Sequence, residues 1–476
     1  MKPKNKTANP ARCTKIVCTI GPACSEEKQL EAMVRAGMNV CRLNFSHGTH
    51  ENHAELIQKI RRVAKKTGQP IALLQDLQGP KIRVGELPKE GIKLPTGSEI
   101  TFTSGKTRLP HAISVSYPSL AQDVKVGQHL LFDDGLLQAK VKRIKGNDVL
   151  CEMEFGGTLF SHKGLNLPDT QTSIPAMTEK DKEDLIFGIE QGVDFVALSF
   201  VRKPEDIRQL RKLLGKKGAG IHIIAKIEKP EALTVLDEIV EETDGIMVAR
   251  GDLGIEIPAE KVPLVQKDLI KRCLDAAKPV IVATQMLDSM IRQPRATRAE
   301  ISDVANAAID HTDATMLSGE SASGAFPMEA VETMAKTLQE VEMSSLDDMP
   351  PCLHLNPEEP EAAMTNVATI LSHAIDAKAI VCLTETGAVA RLLSRHRPPM
   401  PIYACTENAQ VARQTNLTWG VIPAVFTWKN PEKWDLQVLA WLKKEKRVEA
   451  GDRVIFVGGE PLGKSGQVPW IEMRTV

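Results

Sequence analysis

The sequence predicts an α/β fold: a (β/α)8 TIM barrel, interrupted after strand three by a small β-barrel lid and followed by a C-terminal α/β domain with an open sheet. Three observations lead there. Short apolar runs recur at the spacing of one βα unit, a single step between them is far too long, and an acidic, Pro-rich stretch precedes a second alternation of strand and helix. Strand starts fall at Lys15, Met38, Ile71, Val193, Ile221, Gly245, Pro279 and Thr312, giving steps of 23, 33, 122, 28, 24, 34 and 33 residues. Near-continuous apolar strands imply parallel pairing covered on both faces, and eight βα units closing on themselves take about 250 residues. An open doubly wound sheet is the alternative that strand counting leaves standing.

The intervening helices follow from apolar residues at three-to-four spacing over Glu26–Ala36, His50–Lys66, Glu179–Glu190, Pro204–Leu214 and Pro263–Ala276. The 122-residue step holds an insertion rich in Gly, Pro, Thr and Val, with the short alternating runs SEITFTS, QHLLFDD, LLQAKVKRI and DVLCEME. That pattern reads as a small barrel or sandwich. It leaves the main barrel at the C-terminal end of a strand, where the active sites of such barrels lie, so a mobile lid is expected. After SSLDDMPPCLHLNPEEPEAA come a helix at Ala363–Ala374, a strand at Ala379–Leu383 and a helix at Ala388–His396. A strand at Pro401–Cys405, a helix at Asn408–Gln414 and strands at Val421–Phe426 and Arg453–Gly458 complete that domain. The expected division is therefore residues 1–78 and 176–345 for the barrel, 79–175 for the lid and 346–476 for the C-terminal domain.

Composition narrows the function classes. Apolar residues at 42% and charged residues at 25% are ordinary for a globular protein, which excludes collagen-like, disordered and disulfide-stapled chains. With 60 basic against 61 acidic residues, no global field recruits nucleic acid or a membrane surface. Aromatic residues at 4% leave few stacking platforms for single strands. The basic start MKPKNKTANPARCTK has no apolar core of the secretory kind, so a cytoplasmic location is expected. The nine cysteines lack any C-x-x-C pair and read as reduced core thiols.

Polar residues at the C-terminal ends of barrel strands need a reason, because the strands themselves are buried. Here they gather on one rim: Arg42, Asn44, Ser46 and His47, then Asp76, Ser199, Lys226 and Glu228, then Arg250, Asp252, Thr284, Gln285, Ser318 and Glu320. Glu228 and Asp252, from adjacent strands, are hard oxygen donors of the kind that hold Mg²⁺ while leaving room for substrate and water. Lys226 and Glu228 lie two apart and face the same way. An ammonium there suits a developing charge on a phosphoryl group or an enolate; a plain ion pair is the bland alternative. Arg42, Arg83 and Arg250 add positive charge, and ARGDLG (Ala249 to Gly254) reads as a Gly-bracketed turn whose amides can receive a carboxylate. Taken alone, these residues point to metal-assisted chemistry on an anionic substrate.

With KIVCTIGPAC, MNVCRLNFSHG, DLQGPKIR, KGLNLPD, MTEKDKEDL, IIAKIEKPEAL, DGIMVARGDLGIEIP, ATQMLDSM, PRATRAEISDVANA and DATMLSGESA in place, the sequence resembles the pyruvate kinase family over nearly its whole length. The resemblance implies phosphoryl transfer from phosphoenolpyruvate to ADP, giving pyruvate and ATP in the last step of glycolysis. By the same resemblance Glu228 and Asp252 hold Mg²⁺ (or Mn²⁺), and Lys226 steadies the phosphoryl group in flight. Arg42 contacts the phosphate, while Gly251, Asp252 and Thr284 seat the carboxylate. Thr284 stands near protonation of the enolate, in one proton network with Ser318 and Glu320. Asn44, His47, Arg83, Lys163 and Pro22 contact the nucleotide, and Arg83 shares in the chemistry. Asn44, Ser46, Asp76 and Leu77 are the monovalent-cation positions. A homotetramer with allosteric regulation is implied as well.

Two departures from the family pattern stand out. Where potassium-requiring members read D-T-K-G-P-E-I-R, this chain reads Asp76–Leu77–Gln78–Gly79–Pro80–Lys81–Ile82–Arg83. A fixed ammonium at Lys81 in place of a carboxylate resembles the potassium-independent branch, so K⁺ is not expected to be required; a solvated lid lysine is the alternative. In the C-terminal domain the effector-phosphate loop reads Thr384–Glu385–Thr386–Gly387–Ala388–Val389. Glu385 adds negative charge and Val389 removes a hydroxyl. A phosphorylated effector and a plain helix start stand as equal readings, with Gly458–Gly459 and Gly463–Gly466 as auxiliary donors. Two other function classes are weighed: a lyase of pyruvate-like oxoacids, which would not need the nucleotide lid, and a degenerate paralogue, which would not need Lys226, Glu228 and Asp252 intact.

Overall fold

The computed structural model describes residues 12–105, 111–349, 360–428, 433–458 and 470–476. The N-terminal tail, residues 350–359 of the Pro-rich linker with Cys352, Gly459 and Gly463–Gly466 lie outside the described residues. Cys18, Cys24, Cys41, Cys151, Cys273, Cys382 and Cys405 are free thiols, and among the described residues no helix is long and apolar enough to cross a membrane.

Eight parallel strands close into one barrel: Lys15–Thr19, Val40–Asn44, Ala72–Asp76, Phe195–Leu198, His222–Ile227, Gly245–Ala249, Val280–Ala283 and Ala314–Leu317. The first and last pair directly, Lys15 opposite Ala314, which removes the open-sheet alternative. Side chains alternate inward and outward along each strand. Val17, Val40, Leu74, Ile224, Met247, Ile281 and Met316 fill the interior, while Ile16, Cys41, Leu73, Ile223 and Val282 pack outward with the helices. Helix starts carry their own signals: Thr49, Thr178 and Thr297 each accept a hydrogen bond from the third helical backbone amide, which satisfies an orphan donor.

The insertion folds into a curled six-stranded sheet, ordered Leu165–Asn166, His129–Phe132, Leu137–Lys145, Asp148–Phe155, Glu99–Thr103, Ile113–Ser114, beside a two-stranded ribbon of Ile92–Leu94 and Gly157–Leu159. Its two edges are joined through Arg83 and Val84. Val84 N donates to Lys163 O (2.9 Å) and Leu165 N to Ile82 O (3.0 Å) on one side, while Gly85 N donates to Ser114 O (2.8 Å) and Ser116 N to Arg83 O (2.9 Å) on the other. Phe102 and Phe132 stack at 4.6 Å inside it.

The C-terminal sheet has five strands, ordered Val421–Val425, Ile402–Thr406, Ala379–Leu383, Arg453–Gly458, Trp470–Thr475, the last antiparallel. That last strand and the helix Trp434–Lys444 add to the elements read from the sequence. This domain docks on the N-terminal mouth of the barrel. Asn416 Nδ2 donates to Asn39 O (3.1 Å) and Pro70 O (2.5 Å), and Gln414 Nε2 donates to Asp194 O (3.0 Å) and Gly220 O (2.7 Å). Trp419 N donates to Asp313 Oδ1 (3.0 Å), and Lys15 Nζ to Val421 O (2.7 Å). Between these contacts the fully buried Leu417 joins the cluster of inward-facing strand residues. The floor of the barrel is thus supplied by the C-terminal domain.

Candidate active site

The alternation that fills the barrel interior also builds its upper rim. The inward positions of the second strand are Val40, Arg42 and Asn44; those of the third are Ala72, Leu74 and Asp76; those of the fifth are Ile224, Lys226 and, one residue beyond the strand, Glu228. Each face is apolar below and charged above. Lys226 Nζ lies 2.9 Å from Glu228 Oε1 and 3.3 Å from Asp76 Oδ1, and it donates to Ser199 Oγ (2.8 Å). Burial alone would lower the lysine's pKa, but Asp76, Glu228 and Asp252 outweigh it, so the ammonium is held above its ordinary value. Burial pushes the Asp76 carboxyl up, yet Lys226 and Arg42 more than reverse this and keep it ionised. Arg42 Nε donates to Asp76 Oδ2 (2.6 Å) and its Nη1 to Thr19 Oγ1 (2.9 Å). Glu228 moves the other way: burial, with Asp252 adding, raises its pKa against the pull of Lys226.

Glu228 and Asp252, the expected metal ligands, are oxygen donors of the kind a hard divalent ion takes. Glu228 Oε2 accepts from Phe200 N (2.6 Å), whereas Oε1 is buried without a well-aligned hydrogen bond among the described residues and faces the Lys226 ammonium. Asp252 is 28% exposed in the first turn of the helix Arg250–Glu256. One shielded and one open carboxylate suit an ion that keeps water and substrate in its shell. The helix also corrects the reading of ARGDLG as a turn: Arg250 already begins helical structure, because Gly251 N is satisfied by Thr284 Oγ1 at 2.7 Å.

Thr284 and Gln285 leave the seventh strand with φ of 70° and 55°, a left-handed geometry that is strained for a β-branched residue. It is held from three sides: Thr284 Oγ1 accepts from Gly251 N and donates to Ala283 O (2.6 Å), and Arg250 Nη2 donates to Thr284 O (2.7 Å). Arg250 also pairs with Asp303 (2.7 Å), so its charge braces this corner. Glu320 Oε2 accepts from Ser318 N (2.7 Å) and Oε1 from Leu287 N (3.1 Å). Both carboxylate oxygens therefore serve backbone amides, and Ser318 Oγ is buried without a partner among the described residues.

On the second-strand corner Asn44 Oδ1 accepts from Ser46 N (3.1 Å), and His47 O meets His53 Nε2 (2.9 Å), whose ring stacks on Phe45 at 4.1 Å. Leu77 O accepts from Ser199 Oγ (2.7 Å). Pro22 is exposed at the corner after the first strand. Between lid and barrel lies a cleft of about 250 Å³ whose lining includes Lys81, Arg83, Lys163, Arg202, Lys229 and Asp252. Lys81 Nζ stands 3.8 Å from Asp252 Oδ1, Arg83 Nη1 donates to His162 O (2.9 Å), and Lys163 pairs with Asp133 (2.7 Å). In the C-terminal domain Gly387 N donates to the loop's own Thr384 Oγ1 (2.9 Å) and Arg391 Nη1 to Thr386 O (3.2 Å).

Sequence reasoning missed Phe200, whose amide holds Glu228, and Arg202, which donates to Thr172 O (2.7 Å) and to Ile174 O across the lid's return. It also missed Asp181, although Thr178 three residues earlier signals a capping box.

A closed parallel barrel with a buried lysine among carboxylates on its C-terminal rim, under a basic lid, defines a barrel enzyme acting on an anion. The chain matches the family model for the pyruvate kinase barrel domain over residues 11–331 and that for the pyruvate kinase alpha/beta domain over 362–472. It is 46% identical over 474 residues to a pyruvate kinase of Staphylococcus saprophyticus, covering 98% of this chain and 80% of the relative. It is 45% identical over 473 residues, with the same coverage, to one of Staphylococcus aureus strain MRSA252. The chain belongs to the pyruvate kinase family.

Proposed function

We propose that the protein transfers the phosphoryl group of phosphoenolpyruvate to ADP, giving pyruvate and ATP. The observation that carries this is Lys226: a buried ammonium kept charged by Asp76 and Glu228, with Arg42 anchored through the same aspartate. In such a transfer the bond from phosphorus to the enol oxygen breaks as one forms to the terminal oxygen of ADP, and the protein's task is positioning and charge. Lys226 and Arg42 neutralise the transferring oxygens without reorganising, because both are already fixed. The backbone at Gly251 and Asp252 with Thr284 would seat the carboxylate, which takes the place of Thr284 Oγ1 on the Gly251 amide, and the Thr284 corner lies where the enolate carbon would take up its proton. Arg83 and Lys163 from the lid, with Asn44, His47 and Pro22 on the barrel, meet the nucleotide. Glu228 and Asp252 would hold a divalent cation, which supplies further positive charge to phosphate and carboxylate when bound. Ser318 and Glu320 would belong to the proton network of Thr284, with Glu320 ordering the amides of Ser318 and Leu287. The division at residues 78/79, 175/176 and 345/346, a cytoplasmic homotetramer and a phosphorylated effector at Thr384–Gly387 belong to this reading.

The test is pyruvate release from phosphoenolpyruvate and ADP with Mg²⁺, in a potassium-free tetramethylammonium buffer and then with K⁺. Turnover supports the reading; silence in both buffers, and after adding sugar phosphates and AMP, favours a non-catalytic paralogue. We further propose that Lys81 replaces a bound K⁺, a reading supported by its ammonium 3.8 Å from Asp252. The unaltered chain is expected to turn over without K⁺, whereas Lys81→Glu gains K⁺ activation of about tenfold or more, some 1.4 kcal/mol. A variant whose K⁺ response matches the parent's removes this account of Lys81.

A further inference from the structure

The polypeptide crosses from barrel to lid just after the third strand and returns just before the helix Glu179–Gln191. Asp181, in the first turn of that helix, is fully buried. Its Oδ2 accepts from Thr178 N (2.8 Å) and from Thr178 Oγ1 (2.6 Å), the contacts of an N-terminal cap. Its Oδ1 does something a cap does not need: it accepts from Gly79 N at 3.0 Å, across 102 residues of sequence. One carboxylate therefore grips both crossings of the insertion.

The outgoing crossing leaves no slack. Gly79 has φ 68°, and a Cβ there would lie 2.8 Å from Phe200 Cδ2 and 2.9 Å from Ser199 Cβ. Those two residues in turn touch the reacting end: Ser199 Oγ bridges Leu77 O and Lys226 Nζ, and Phe200 N binds Glu228. Beyond Gly79 the same segment carries Lys81 and Arg83, and Val84 N pairs with Lys163 O. Lys81 and Arg83 thus ride on a stretch whose last fastening to the barrel is the Gly79 amide, after Leu77 is held by Ala197 O and Ser199 Oγ, and Lys163 is tied to that stretch through Val84. The return crossing has a separate fastening, Arg202 on Thr172 and Ile174, so Asp181 is what registers the outgoing one.

We propose that Asp181 is a positioning residue that pins the lid's outgoing crossing at Gly79, and thereby sets where Lys81, Arg83 and Lys163 stand over the barrel. Its effect on turnover rests on the proposed function, since lid residues there meet the nucleotide; its effect on the lid does not. Asp181→Asn keeps the shape but offers one acceptor and one donor, so it cannot accept from both Gly79 and Thr178. Thr178→Ala weakens the cap and leaves both aspartate oxygens, so it controls for helix stability.

In the full chain, amide hydrogen exchange at Gly79–Val84 is expected to quicken about tenfold or more in Asp181→Asn and to stay unchanged in Thr178→Ala, which only lowers Tm. The KM for ADP is expected to rise about fivefold in Asp181→Asn, with that for phosphoenolpyruvate within about twofold. Equal exchange in the two variants, or no change in Asp181→Asn, overturns the proposal. The unaltered chain gives a second arm that needs no variant to fold: its Gly79 amide is expected to exchange slowly, and exchange at the rate of an exposed loop overturns it too. An exchange difference without turnover in any chain would uphold the pin while removing the kinase reading.

Discussion

Lys226→Met is expected to lower the kcat for pyruvate formation by about 10²- to 10³-fold, the loss typical of removing one preorganised charge donor at a reacting oxygen. Methionine fills the stem's volume, so what disappears is the ammonium. Arg42 still covers Asp76 through Asp76 Oδ2, but Asp76 Oδ1 and Glu228 Oε1 each lose the cation they face. Stranding a buried charge costs about 3–5 kcal/mol, so the variant should also melt earlier. The pH dependence tells this from loss of packing. Without Lys226 the folded-state pKa of Glu228, already raised by burial, climbs further above its unfolded value. A group shifted that way stabilises the fold at low pH and loses that contribution as pH rises through the folded value. The melting deficit of Lys226→Met is therefore expected to be larger at pH 8 than at pH 5. A deficit independent of pH, or a kcat within a few-fold of the parent's, would contradict this account.

Leu417→Ala is expected to destabilise the barrel by about 2–5 kcal/mol, the range for emptying a well-packed leucine site. The residue lies far from the rim, in the C-terminal domain, yet it is fully buried among the inward-facing residues of the barrel strands. The polar ring around it, from Asn416, Gln414 and Trp419 to loops below the barrel, resists collapse into the void. Urea unfolding followed by barrel and C-terminal probes separately is the measurement. The barrel transition should move to lower urea, whereas a shift confined to the C-terminal probe would show that Leu417 serves only its own domain.

Much of this is legible in the sequence alone. Strand starts at Lys15 and Gly245 are met to the residue, and those at Met38, Ile71, Ile221, Val193, Pro279 and Thr312 lie within two residues, because buried parallel strands announce themselves as uninterrupted apolar runs. The rim was legible for a related reason: a charge such as Lys226 or Asp76 at the end of such a run has few structural excuses. What escaped depends on contacts between distant segments. Nothing local says that Arg83 and Val84 join the two edges of the lid sheet, or that Glu320 spends both oxygens on the amides of Ser318 and Leu287. The strand Trp470–Thr475 was missed because its exposed face carries charges, as an outer antiparallel strand can. The left-handed backbone at Thr284 is likewise a tertiary effect, imposed by Gly251 and Arg250.

The floor contributed by Leu417 has a consequence for how the chain is made. The last barrel strand ends at Leu317 and the plug comes 100 residues later, which at about 5–20 residues per second is about 5–20 s of synthesis. For that interval all eight strands have been translated while the bottom of the interior still faces solvent. The nascent barrel is therefore a substrate for anything that binds exposed aliphatic surface, and it stays one until the C-terminal domain emerges. Slow codons or a stall between residues 317 and 417 would lengthen that exposure without altering a single contact of the finished protein.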